Sequence, residues 1–490
     1  MNGASLASDR QELEPPVNIQ QVGSLLPLVM TIAVLAVFEC ILTVLNEDSP
    51  WSFWAVLAFI GYLIFLYRLA KFAPATVIIL MPYLLISATE IASCVAIESG
   101  AWMDEISQAG FPTGGTARLA IALMGFLGVG AFFVEPAWKS HQHQSDVKFS
   151  KTVAPPPVIV VLTATFLCLF HNFYLVYIGL RRGFPLFNGI DRFRFRQELA
   201  DPIFITLITS PAIFATALTL LVSNRSTRYL AWFLFLQLMF LQVLFGEKFT
   251  MLVVPTAIFS AAGLLGYLAQ HKRLPITMIA VVGMVVGGTL MLTCLNYYFM
   301  KTGSLDAAQQ MLLERMAEQG EMWYVGDRDF RYNTQINWPI IRQEIGACLG
   351  LRSTDPKEIG TEFGPYLVME YYGDQEQLQV ALEHSTYFAF TQTPYWLMIS
   401  GYLGYAVVLL LTSVAYGIAG RLFLVTLLNR DLFAALLAQK AMLMVYVSTV
   451  VGWTYFALGY KTIGFMCFAS IALYWRNLWQ MFLPHRLPHR

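Results

Sequence analysis

The chain is 490 residues long, 57% hydrophobic, 14% aromatic and 13% charged, with 31 basic against 31 acidic side chains and a mean hydropathy of +0.58. A soluble chain of this size carries about a quarter of its residues as Asp, Glu, Lys and Arg. This composition therefore excludes a disordered chain and argues against a soluble multidomain enzyme, and a net charge of zero points to no nucleic-acid partner.

Residues 1–23 are polar and acidic, with Glu12 and Glu14 ahead of Pro15-Pro16. They lack the basic start of a cleaved leader, so the first apolar run is expected to remain as an anchor. A bilayer core takes about 20 apolar residues of helix. On that measure twelve spans are expected, near 24–45, 51–67, 73–97, 116–136, 157–180, 202–222, 229–245, 250–269, 276–299, 394–419, 432–457 and 462–482. The expected fold is an all-α polytopic membrane protein with about twelve transmembrane helices. Residues 1–23 and 483–490 form cytoplasmic tails. A basic outer loop, 181–201, lies within the first nine spans (24–299), and a large outer loop, 300–393, precedes the last three (394–482). Basic residues of the short loops fall mostly on one side when the N-terminus is cytoplasmic, which puts both termini inside. Five of the six cysteines lie in apolar runs, so no disulfide framework is expected.

Five arginines fall within sixteen residues after the fifth span: Arg181, Arg182, Arg192, Arg194 and Arg196. The positive-inside rule disfavours them there. Gly183 and Pro185 break the preceding helix, and Phe193 and Phe195 alternate with the last three arginines. Guanidinium groups clamp phosphate bidentately and stay charged at any working pH. The loop is thus a candidate clamp for the diphosphate of a lipid-linked substrate, with its phenylalanines at headgroup level. The alternative is an interfacial segment that meets ordinary anionic headgroups or pairs with Asp191, Glu198 and Asp201, but the density of the cluster favours a polyanionic ligand. Lys248, beside Glu247 at the outer end of the seventh span, would add a cation.

The 300–393 stretch carries seven basic and fourteen acidic residues, and a loop that long is a functional candidate. Ser304 to Gly320 reads as an amphipathic helix with Leu305, Met311, Leu312 and Met316 on one side. Beyond it, Trp323, Tyr324, Tyr332, Trp338, Tyr366, Tyr371, Tyr372 and Tyr387 mix with carboxylates, as a carbohydrate groove requires and as a membrane-interface belt also would. His384 could take a proton from a sugar hydroxyl, with Glu362, Glu370 and Glu383 as competing bases. Arg342 and Arg352 are candidates for a second phosphate contact, or are simply solvated. Inside the bilayer Glu39, Glu90, His171 and Lys440 are costly, so each is a functional candidate or one half of an interhelical pair.

The sequence has no nucleotide-binding glycine motif, no HExxH and no CxxC pair. No cytoplasmic segment is large enough for a nucleotide sugar, so substrates are expected at the outer face, with no cofactor and no metal.

Arg181-Arg182-Gly183-Phe184-Pro185-Leu186-Phe187, followed by the arginine-rich stretch, resembles the outer loop of Wzy-type O-antigen and oligosaccharide repeat-unit polymerases. Phe245-Gly246-Glu247-Lys248 is similar to their Gly-x-Arg-like turn, with Lys in place of Arg. The late long loop and Ser400-Gly401-Tyr402-Leu403-Gly404 resemble their large periplasmic loop and the Gly-x-x-Gly helix after it. His384 resembles a histidine of the related O-antigen ligases, but it stands further from the glycine pair. The resemblance implies a GT-C-like glycosyltransferase of the bacterial inner membrane. It would transfer a growing glycan between an undecaprenyl-diphosphate-linked oligosaccharide donor and acceptor. The arginines would hold the departing diphosphate, and a base in the long loop would take the acceptor proton. Membrane lipids and a chain-length regulator complete the expected partners. The rival readings are a flippase for the same lipid-linked glycans and a transporter of another anionic substrate, although a transporter's related halves are not visible.

Overall fold

The computed structural model describes residues 25–47, 52–148, 157–188, 190, 194–222, 225–247, 249–271, 273–275, 302–384, 388 and 392–482, together with Gly288, Met291, Leu295, Tyr298 and Phe299. Among these, nine helices are long and apolar enough to cross a membrane, and the chain is a multi-pass helical membrane protein. They are α1 (Leu26–Glu47), α2 (Phe53–Phe72), α3 (Met81–Glu98), α4 (Gly115–Lys148) and α5 (Val158–Arg182), then α9 (Phe249–His271), α14 (Gln392–Leu428), α15 (Leu432–Val451) and α16 (Tyr460–Phe482). Between α5 and α9 lie α6 (Pro202–Ile208), α7 (Pro211–Val222) and α8 (Arg228–Leu244). Helix α1 shows why such segments fold as they do. Leu28, Leu35, Glu39 and Leu42 form its buried stripe, while Val34, Val37 and Ile41 face outward, as lipid rather than water permits.

The remaining three of the twelve expected spans differ. The sixth is a broken pair, α6 and α7, bent by 57°. Pro211 opens α7 and has no N–H to offer the carbonyl of Leu207, four residues back. The ring Nε2 of His171 meets that carbonyl at 3.2 Å. The seventh, α8, is a shorter apolar helix of 17 residues, and the ninth, 276–299, lies largely outside the described residues.

The polar stretch is helical, with α10 (Leu305–Phe330), α11 (Trp338–Cys348), α12 (Pro365–Tyr372) and α13 (Gln375–His384). Helix α10 runs ten residues beyond the expected end at Gly320 and packs on α3, α4 and α14. A Cβ at Gly320 would fall 2.7 Å from the Glu90 carbonyl and 2.8 Å from Cys94 Sγ, so only glycine admits this approach of α10 to α3. Ser93 Oγ donates to Ala317 O at 2.5 Å and accepts from Gly320 N at 2.8 Å. A small antiparallel hairpin, β1 (Trp102–Met103) with β2 (Gln108–Ala109), joins α3 to α4, and β1 packs on α10.

The Ser400–Gly404 segment was expected as helix, yet α14 breaks inside it. Gly401 has φ 62° and ψ −169°. The Asn333 side chain donates to the carbonyls of Leu397 and Met398 at 3.0 and 2.7 Å, and Asn337 N donates to Ile399 O at 2.8 Å. The polar segment thus takes over the carbonyls that the break sets free.

Candidate functional site

Two polar constellations stand out. The first joins α4 to α10. The Glu98 carboxylate accepts from Thr113 N, Thr113 Oγ1 and Gly115 N, each at 2.9 Å, and from Thr116 N at 3.4 Å. It closes the N-terminus of α4, where a negative charge is favoured. One turn further, Arg118 forks onto Asp327, Nε to Oδ1 at 2.7 Å and Nη2 to Oδ2 at 2.6 Å. The Tyr402 hydroxyl also donates to Asp327, because the Gly401 break re-aims the chain there. Arg118 and Arg331 both donate to Thr113 O, at 2.7 and 3.2 Å, and Trp323 Nε1 donates to Gly115 O at 3.0 Å. Nearby, Glu321 accepts from Ile106 N at 3.0 Å, and burial pushes its carboxyl up to about 7. A buried, interlocked network of this kind fixes geometry.

The second constellation is the arginine turn after α5. Arg181 and Arg182 are exposed at the C-terminus of that helix, and Arg181 Nη1 reaches Tyr177 Oη at 3.3 Å. Arg194 pairs with Glu198 at 2.9 Å, both well exposed. Arg196 is paired with the nearly buried Glu247, which follows α8. The Phe245–Glu247 turn therefore meets the arginine turn through a carboxylate. Arg192 and Lys248 lie outside the described residues. Phe193 lies outside the described residues, and Phe195 is turned into the protein and not towards lipid; it is buried against Phe204 and Phe245, with centroids 5.4 and 5.6 Å away, and the Phe184 ring lies tilted against Phe245 at 5.3 Å. The arginines thus sit on a packed aromatic base.

The other sequence candidates are dispersed. Glu362, Glu370, Arg342 and Arg352 are all exposed on the polar segment. His384 ends α13, and its side chain lies outside the described residues. The arginine turn and α6 pack on α5 and α8, whereas α10, α12, α13 and α14 pack among themselves and on α3 and α4, and α11 packs on a short helix, Thr454–Leu458, just before α16. Among the intramembrane candidates, Glu90 lines a cavity of about 20 Å³ with Tyr83, Trp323, Gln392, Thr393 and Tyr405, room for a single water. His171 serves the α6–α7 break.

Sequence reasoning missed Glu98, Glu135, Glu321, Asp327 and Glu344 as buried carboxylates. Glu344, on α11, lies buried beside Tyr395, and burial pushes its carboxyl up to about 7, opposed by the Tyr395 hydroxyl. A signal existed for Glu98 and Asp327: Thr113-Gly114-Gly115-Thr116 ahead of a lone Arg118 is a turn-and-cap pattern that calls for acidic partners.

Residues 358–466 match a family of unknown function, DUF6418. That stretch holds Glu362, Glu370, His384 and the Gly401 break, and it excludes the arginine turn, Arg118 and Asp327. No curated protein and no solved structure matches the chain.

Proposed function

We propose that the protein is a membrane glycosyltransferase that joins oligosaccharide repeat units carried on undecaprenyl diphosphate, at the outer face of the membrane. The observation that carries this reading is the surroundings of Arg181 and Arg182. They stand exposed at the end of a spanning helix, beside the exposed apolar side chains Leu180, Leu186 and Phe187. A ligand with a diphosphate head and a hydrocarbon tail needs guanidinium groups and lipid-facing carbon side by side. Arg194 can turn to the same anion at small cost, since an exposed pair such as Arg194–Glu198 contributes little. Charge developing on the departing diphosphate would be met by preplaced cations. Glu362 and Glu370 are exposed carboxylates of the polar segment and, with His384, the candidates to take the acceptor proton.

The test replaces Arg181, Arg182 and Arg194 singly by Ala in the host and resolves the surface glycan on a gel. The expected result is loss of the long-chain ladder with single repeats retained. Loss of the single repeat as well would assign the arginines to transport of the lipid-linked unit. Unchanged glycan in all three variants overturns the reading.

A further inference from the structure

Helix α11 carries apolar side chains on both faces, unlike a surface helix in water. Its inward face sets Ile340, Ile341 and the buried Ala347 against the core, with one carboxylate among them, Glu344, 1% exposed. Its outward face carries Trp338, Ile345 and Leu349, 58%, 53% and 60% exposed, and Leu351 follows at 78%. Positions 338, 342, 345 and 349 recur at helical spacing and form one stripe, so Arg342 shares that face. Water gives no reason to spend apolar side chains this way round.

The placement of the helix supplies the reason. Its N-terminus is tied to α14 at the break, through Asn337 N to Ile399 O at 2.8 Å. Just beyond the break Leu403 faces outward. Its C-terminus rests on the start of α16: Gly350 lies against the Tyr460 ring, and Cys348 O approaches Gly459. There Tyr460 and Ile463 face outward. Both ends of an 11-residue helix, about 16 Å long, are thus fixed at the same end of two neighbouring spans. Helix α11 bridges those ends, with outward-facing apolar side chains at either tie, Leu403 on one span and Tyr460 and Ile463 on the other.

We propose that α11 lies in the plane of the membrane surface. Its Trp338–Ile345–Leu349 face is sunk into the headgroup–acyl boundary, and Arg342 and Arg352 stand at phosphate level. A short helix with a Trp- and Leu-bearing face and flanking cations partitions in this manner, and long cationic side chains reach to the headgroups. The inference does not rest on the proposed reaction.

The test uses the full-length protein in vesicles of phosphatidylethanolamine and phosphatidylglycerol, in a background whose cysteines are replaced by alanine. A nitroxide is attached at Ile345→Cys and, separately, at Leu349→Cys, so that one misfolded variant does not end the experiment. Ile463→Cys gives the lipid reference and Glu376→Cys the aqueous one. Collisions with oxygen and with a water-soluble nickel chelate are then compared. The expected ratio of oxygen to nickel collisions at 345 and 349 approaches that at 463 and is several-fold above that at 376. Nickel access equal to that at 376 overturns the proposal. Shielding from both reagents would put protein, not lipid, on that face and overturns it as well.

Discussion

Arg118 and Asp327 stand 209 residues apart in sequence and meet through two parallel bonds of 2.7 and 2.6 Å. Asp327 is fully buried and Arg118 nearly so, so neither charge has bulk water to fall back on. Removing one partner takes away the opposite charge where water does not reach. Asp327→Ala is therefore expected to cost about 3–5 kcal/mol, read as thermal unfolding of the purified protein in detergent. Arg118→Met combined with Asp327→Leu should cost less than the two single changes added together. Additive losses would mean that the pair does not act as a unit.

The break at Gly401 gives a second prediction. A Cβ there would lie 1.9 Å from Asn333 O, on a backbone with φ 62°. Gly401→Ala is expected to destabilise by more than the roughly 1–3 kcal/mol of left-handed backbone strain alone. Asn333→Ala leaves the carbonyls of Leu397 and Met398 without that donor and should cost about 1–3 kcal/mol. Unfolding midpoints for the two variants provide the check.

Glu344 makes stability depend on pH. Its carboxyl rises from the ordinary 4.5 to about 7 on folding. Between those values the folded state holds a proton that the unfolded state has released, so stability falls as pH rises through that window. Glu344→Gln removes the titration. At pH 8 the variant should exceed the wild type by something on the order of 3 kcal/mol, while at pH 4 the two should be close. A wild-type midpoint that is flat from pH 4 to 8 would rule this out.

The arginine turn separates by burial. Arg194→Ala is expected to leave the unfolding midpoint unchanged, because its pairing is exposed. Arg196→Ala deprives the nearly buried Glu247 of a charge-assisted bond and should cost about 1.5–3 kcal/mol. Melting curves run beside the glycan gels distinguish a ligand contact from a structural one: Arg181→Ala and Arg182→Ala should alter glycan at unchanged stability.

The spans were legible because a bilayer demands a long apolar run, and such a run is visible whatever its neighbours are. Where the sequence misled, pairing had overridden composition. Glu321 and Asp327 look like water-side charges, so the amphipathic reading of α10 stopped at Gly320; both are instead buried against residues 98–118, a contact that no local pattern encodes. The Gly401–Gly404 pair was visible, but its break depends on Asn333, 68 residues earlier. Helix α11 was missed for the opposite reason: Trp338, Ile345 and Leu349 look like core positions, and they face outward. The arginine turn was found by density alone, while its aromatic base and the Arg196–Glu247 pair needed the fold.

The burial of α10 has a practical consequence. Met322, Trp323, Tyr324 and Val325 reach their partners on α3, α4 and α14 only while those helices are present. A fragment cut out at 302–384 would carry this ridge into solvent along with an orphaned Asp327, and it should aggregate when expressed alone. Antibodies against the outer surface that this ridge holds in place will have to be raised against the intact chain in a bilayer or a mimic of one. An epitope made of helices from both halves of the sequence exists nowhere else.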